Sequence, residues 1–402
     1  MASAGNGRRV LIVVENLPSP FDRRVWQEAT TLKAAGYGVA IVCPTGRGYE
    51  KRHETIDGID IYRHPLPLEA SGALGYLVEY SAALFWEFVL TVRVLLRHGF
   101  DAIHACNPPD LIFLVAAPFK LFGKRFLFDH HDLNPELYEA KFARRDFFYR
   151  LMVLFERLTF RLADVSIATN ESYRRVAVER GGVDDDRVFV VRSGPSLERM
   201  KIQTADPALK RGRTYLVGYV GVMGEQDGVH LLIEAARHIV AELGRDDVHF
   251  GLVGDGAERA RLEQMVADYG LSDYVTFTGR APDAEMLAML NAADVCVNPD
   301  VVNEMNDKST MNKIMEYMAL GKPIVQFDMT EGKFSARDAS VYARANDPDD
   351  LAANILALLD DPERRAEMGA YGRRRIEEEL EWRHEAPKLL AAYDKRFGGP
   401  SG

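Results

Sequence analysis

The 402-residue chain is longer than one ordinary core, and at ~150 residues per domain it divides into two or three. With 47% hydrophobic and 27% charged residues it is neither disordered nor of low complexity. The net charge of −10 is lopsided: residues 1–200 hold 26 basic and 25 acidic side chains, which leaves −11 on the remainder. An acidic half of this kind speaks against a duplex nucleic-acid partner, which needs a basic stripe. Cys43, Cys106 and Cys296 are far apart and form no CxxC, which fits a reducing, cytoplasmic compartment. Arg8-Arg9 precedes only five apolar residues, Val10 to Val14, too few for a signal peptide, so none is expected.

In chain order, RRVLIVVENLPSP reads as a buried strand and turn. DRRVWQEATTLKAAGYG follows as a helix with a Gly stop, and VAIVCPTG as the next strand. FDAIHACNPPDLIFLVAA repeats the rhythm, and KRFLFDHHD, ADVSIATN and DRVFVVRSG continue it. A second series starts at TYLVGYVGVMG and runs through HFGLVGDG, YVTFTGR, ADVCVNPD and KPIVQFD. Short apolar runs without alternation suit parallel strands covered on both faces. The expectation is two doubly wound α/β domains, residues 1–195 and 213–370. A Pro-containing polar hinge over 196–212 joins them, and a charged helical segment over 371–402 returns towards the first. Ligands of such sheets bind beyond the carboxyl ends of the strands.

Those ends carry the candidate site. Gly254-Asp255-Gly256 follows HFGLV and opens a helix, where backbone amides favour an anion. Gly221 follows the first strand of the second series, and Arg280 follows YVTFTG. In NEMNDKSTMNKIMEYMALGKPIVQFD, Lys313 and Glu316 lie one turn apart on a helix that Asn306 or Ser309 could cap. Lys308 stands just before it. A carboxylate with two lysines there suits a sugar nucleotide, Glu for the ribose hydroxyls and Lys for the diphosphate. In the first series His131, Asp132 and Glu136 follow FLFDH, and Phe21, Asp22, Arg23 and Arg24 enter the first helix, where the arginines could meet phosphate or equally stand solvated on the surface.

EYMALGKPIV, VGDGAERARLE, TGRAPDAEMLAMLNAADV and PSPFDRRVWQEATTLKAAGY together resemble the retaining glycosyltransferases of family 4, closest to members of bacterial surface-polysaccharide assembly. The resemblance spans nearly the whole chain. It implies the GT-B fold, two Rossmann-like domains facing across a cleft, and a metal-independent transfer with no cofactor. The donor would be a nucleoside-diphosphate sugar, UDP favoured, and the acceptor a polyprenyl-diphosphate-linked saccharide. It gives His131 a contact with the donor sugar and Glu316 the second position of the family's glutamate pair. Lys308 occupies the first. Val222 and Asp227 stand where the family has an Arg and a Lys on the donor diphosphate, and Pro20-Phe21-Asp22 replaces a Gly-Gly. Lys308, with Lys313, is therefore expected to neutralise the diphosphate. Rival readings are a UDP-sugar epimerase of the same fold and a non-catalytic binding subunit.

Asp184-Asp185-Asp186, after a Gly-Gly stop, reads as a turn rather than a metal site. The stretch from Gly72 to Arg97 places Glu79, Glu87, Arg93 and Arg97 on one arc and reads as amphipathic. Arg150, Arg157 and Arg161 form a stripe among aromatics, which suits either peripheral binding to an anionic inner membrane face or, equally for both stretches, ordinary helices that cover the first sheet.

Overall fold

The computed structural model describes residue 5 and residues 7–65 and 72–397, with the backbone alone for 72–80 and 396. The chain forms two compact units, Gly194–His384 and the remainder, so the first unit is completed by residues from Glu385 onward.

The first unit holds an eight-stranded sheet. Its strands are β1 (Arg9–Val13), β2 (Gly38–Pro44), β3 (His53–Ile56), β4 (Ile59–His64), β5 (Ala102–Cys106), β6 (Arg125–His130), β7 (Val165–Ala168) and β8 (Val188–Val190). Their order is β3-β4-β2-β1-β5-β6-β7-β8, and every pair is parallel except β3 with β4. The second unit has six parallel strands: β9 (Tyr215–Val220), β10 (Val248–Val253), β11 (Val275–Gly279), β12 (Val295–Asn298), β13 (Ile324–Phe327) and β14 (Ser340–Ala343). Their order is β11-β10-β9-β12-β13-β14. Both sheets reverse winding direction beside their first strand, at β1/β5 and at β9/β12, and there the strand ends open a crevice.

The apolar runs do become the central strands: β1, β5 and β10 are buried along most or all of their length. The hairpin β3–β4 escaped the apolar-run reading because its strands are half polar. Its signal was Asp57-Gly58, the two-residue turn in which both residues take positive φ, 50° and 74°.

Of the expected hinge, Met200 is buried in the second core and the Gln203 N–H donates to the Asn291 side chain at 2.9 Å. That part of the segment is a wall of the second unit rather than a free linker. The Asp184–Asp186 string lies in a turn and a short 3-10 segment before β8. The helix Gly72–Arg97 departs from the amphipathic expectation. Glu87 points inward and is fully buried, whereas Phe85, Trp86, Phe88 and Leu96 are exposed. Glu79 lies outside the described side chains. No helix among the described residues is long and apolar enough to cross a membrane.

The helix Trp382–Phe397 enters the first unit at Glu385. Tyr393 is buried there. Its hydroxyl lies 2.7 Å from His104 Nδ1, and its ring packs on Tyr37 and stacks on Phe397. Tyr393→Phe should cost about 1–3 kcal/mol by orphaning the buried His104 nitrogen. Tyr393→Ala should cost about 3–5 kcal/mol by leaving a cavity. Urea unfolding midpoints measure both.

Candidate active site

At the carboxyl edge of the first sheet a guanidinium is buried among acids. Arg24 leaves the helix Arg23–Ala34 and holds Asp129, at the end of β6, through Nε at 3.2 Å and a terminal nitrogen at 2.9 Å. It also donates to the Val191 carbonyl at 2.8 Å and lies 3.1 Å from Glu28. Arg24 is thus neither a phosphate ligand nor a solvated side chain, as its sequence position suggested. Burial works against the charge on Asp129, but Arg24 and then His131 hold that carboxyl well below its usual range. Glu28 is pushed well above its own by burial and by Asp129.

His131 is only partly exposed. Its Nε2 lies 2.5 Å from Asp129 Oδ2 and 2.8 Å from Arg24 Nε. With the ring proton on Nε2 the imidazole donates to the carboxylate, and in the other tautomer Nε2 accepts from the guanidinium. The loop carrying His131 is set by Asn107, whose side-chain oxygen accepts from the N–H groups of His131 and Asp132 at 2.7 and 3.2 Å. Burial raises the Asp132 carboxyl. Glu28, Asp129 and His131 offer ligand atoms within 4.8 Å of one another, as do His104, Cys106 and Asp129. Arg24 touches all three of the first group and supplies the positive charge there.

The remaining candidates of this unit separate. Asp22 caps the helix, accepting from the Val25 N–H at 3.1 Å, and Phe21 packs on Tyr49. Arg23 is exposed. Glu136 is buried and accepts two bonds from Arg180, at 2.7 and 3.1 Å, so it is an internal partner rather than an acceptor ligand. The same guanidinium holds buried Glu156, which lies 3.4 Å from His130. Nearby, burial and the charge of Glu156 push Asp110 up to about 7.

In the second unit Gly221, Gly254 and Gly256 follow β9 and β10, and packing requires each. A Cβ on Gly254, at φ 146°, would stand 1.8 Å from the Gly221 carbonyl, and one on Gly256 would stand 2.5 Å from that of Met223. A Cβ on Gly221 would meet the Tyr219 hydroxyl at 2.6 Å. The strand-end loops therefore touch backbone to backbone. Asp255 is exposed at the tip, and Val222 is 62% exposed.

Lys313 opens the helix Asn312–Ala319, which no side chain caps. Asn306 and Ser309 do not serve as expected: Asn306 lies inside a separate short helix, Glu304–Lys308, and Ser309 ends it. The Lys313 ammonium, 10% exposed, meets Asp300 at 2.7 Å and Asp227 at 3.9 Å and sits over the Tyr219 ring. Burial lowers its proton affinity, yet Asp300 and Asp227 carry it above its ordinary value. Burial pushes Asp227 up to about 6 against the pull of Lys313, with Asp300 adding repulsion. Asn298, buried at the end of β12, stands beside Asp300 and favours its charged form against the effect of burial. Lys308 pairs with Glu304 at 2.6 Å. One turn beyond Lys313, Glu316 accepts from Arg199 at 3.0 Å, and Arg199 also holds Asp283 at 2.6 Å. Arg280 is exposed after β11. Sequence reading missed Arg199, which lay in the segment taken for a hinge, and Asp300. The second had a signal, since it follows β12 at the winding reversal.

Residues 22–194 match the family model of the glycosyl transferase 4-like domain, and residues 214–361 match that of glycosyl transferases group 1. This chain is a GT-B glycosyltransferase. The 2-deoxystreptamine glucosyltransferase of Streptomyces kanamyceticus is 28% identical to this glycosyltransferase over 360 residues, 85% of this chain and 89% of the relative. Sucrose-phosphate synthase from Thermosynechococcus elongatus shares its fold with a TM-score of 0.80 at 20% identity, covering 97% of this chain and 99% of the other. Anabaena HepE in complex with UDP-glucose matches with a TM-score of 0.72 at 15% identity, covering 96% and 99%.

The raised Asp110 gives a pH prediction. Its folded value of about 7 stands above the ordinary 3.8, so between about pH 4 and 7 the folded glycosyltransferase holds a proton that the unfolded chain has lost. Stability from this group is therefore lost as pH rises across that window, by up to about 1.4 kcal/mol per pH unit. Asp110→Asn should flatten the slope, read as the difference between the two proteins in denaturant midpoints at pH 5 and pH 8.

Proposed function

We propose that this glycosyltransferase moves a sugar from a nucleoside-diphosphate sugar, a UDP-sugar first, to a polyprenyl-diphosphate-linked saccharide in bacterial polysaccharide assembly. The reaction retains configuration, as the family resemblance implies. The observation that carries the donor half is the group of Lys313, Glu316 and the uncapped helix start at the β9/β12 reversal, beside the loops of Gly221 and Gly254. Helix N–H groups and a largely buried ammonium suit a diphosphate. HepE, of the same fold, binds UDP-glucose.

In this reading negative charge grows on the departing diphosphate while the sugar becomes oxocarbenium-like. Lys313 is held charged by Asp300 and turns towards the phosphates. Lys308 exchanges Glu304 for them, and so replaces the cations missing at Val222 and Asp227. Glu316 takes the ribose hydroxyls, positioned by Arg199, and Gly256, Asp255 and Arg280 line the rim. His131 keeps the sugar contact that the family resemblance assigns to it. The protein works at the inner face of the plasma membrane, where its acceptor lies.

Thermal shifts with UDP, GDP, ADP and dTDP on the wild type, Glu316→Ala and Lys308→Ala test the donor half. One nucleotide should stabilise the wild type, by about 2.7 kcal/mol at a hundred times its dissociation constant. Glu316→Ala should weaken it at least tenfold, as losing a charged hydrogen bond costs about 1.5–3 kcal/mol. An unchanged donor affinity and turnover in Lys308→Ala would remove that lysine from the clamp. Transfer to a short-chain polyprenyl-diphosphate saccharide and none to 2-deoxystreptamine is the outcome expected for the acceptor half.

A further inference from the structure

Three neighbouring helical segments of the first unit share an unusual surface. On Gly72–Arg97 the side chains of Phe85 and Leu96 are exposed. On Phe113–Lys120 and the turn after it, Leu121 is 87% and Phe122 77% exposed. At the start of Phe147–Leu162, Phe147 and Phe148 stand out into solvent. The segments are joined: Phe88 packs on Phe119 with ring centroids 5.8 Å apart, and the Lys120 ammonium donates to the Leu162 carbonyl at 2.6 Å. Scattered apolar residues on a surface are ordinary, but a run of bulky ones across three adjoining segments marks an interaction site.

The charges of this face have one sign. Among the described side chains of the first segment, Arg93 and Arg97 reach solvent, and its one acid, Glu87, is fully buried. From Phe113 to Arg125 the charged residues are Lys120, Lys124 and Arg125, with no acid. The third segment exposes Arg150, Arg157 and Arg161, and its one acid, Glu156, is buried on Arg180. The acids at the border are ion-paired: Asp164 with Lys120, and Asp146 with Arg144. A chain of net charge −10 thus keeps this apolar face, among its described side chains, free of unpaired exposed carboxylate.

We propose that this face is a docking surface for an anionic lipid bilayer. The aromatic and leucine side chains enter the headgroup boundary while the guanidinium and ammonium groups meet lipid phosphates. Phe147, Phe148, Leu121 and Phe122 are the leading apolar contacts, and Arg150 and Arg161 the leading cations. The proposal deepens the lipid-linked acceptor reading and names the part of the protein that brings it to the lipid.

Sedimentation of the full-length protein with phosphatidylcholine vesicles, and with vesicles containing 30% phosphatidylglycerol, tests it without any acceptor lipid. Binding to the anionic vesicles alone, weakening as salt rises, is expected. Arg150→Gln with Arg161→Gln should weaken it about 25-fold, about fivefold for each cation. Phe147→Ser with Phe148→Ser should weaken it while leaving the salt dependence in place. Unchanged thermal midpoints show that these exposed substitutions leave the fold intact. Equal binding to neutral vesicles, no binding to anionic ones, or full binding by both variants would overturn the proposal. The acceptor reading would still be judged by transfer in detergent.

Discussion

In each sheet, acidic side chains converge on the carboxyl edge around a cation held within the protein, Arg24 in the first and Lys313 in the second. Parallel strands aim their ends, and the residues just after them, at one edge, so side chains remote in sequence are forced together there. Taking a carboxylate from water is costly unless a partner of opposite charge and good geometry replaces it. Arg24 does this for Asp129 in the first unit, and Lys313 does it for Asp300 in the second. Around the first are fixed His131, His104 and the loop of Asn107; around the second, Tyr219, Asp227 and the start of the helix that carries Glu316. Arg180, with Glu136 and Glu156, and Arg199, with Glu316 and Asp283, complete the polar frames of the two edges.

This is also why the fold was easier to read than the site. Apolar runs of four to six residues announce a buried strand locally, and the winding order follows from strands that alternate with helices. The partners of a buried charge have no local sign. Arg24 and Asp129 are 105 positions apart, and Arg199 and Glu316 are 117 apart. From the chain alone Arg24 looked like the next residue after Arg23 at a helix start, and Glu136 looked like part of a polar motif. Only pairing across the sheet shows that both face inward. Glycines carried a similar ambiguity: Gly254 and Gly256 were read as room for a ligand, and their immediate reason is the close approach of two loops.

The carboxyl edge of the second sheet combines a family framework with an altered charge pattern. An exposed valine and a half-protected aspartate stand at positions that the resemblance associates with cations, and the lysine nearest to them is already paired with acid. In the proposed donor reading, a diphosphate arriving there competes with Asp300 and Asp227 for the same ammonium, and selectivity rests as much on what it displaces as on what it gains. The opposite balance holds among the described side chains of the outer helices of the first unit, where Glu87 and Glu156 are turned inward and the arginines outward.

The last helix belongs to two units, and this orders the protein in time. Residues from Glu385 onward close the first core: Glu385 accepts from the Arg192 N–H, Tyr393 fills the space beside His104 and Tyr37, and Lys395 pairs with Asp186. A ribosome delivers residues 1–193 first, but it delivers their closing helix only after the whole of Gly194–His384 has been made. The second unit, continuous in sequence, can fold as soon as it emerges. The first unit is closed only after the second has been made, and until Tyr393 is translated the buried His104 lacks the tyrosine that seals it.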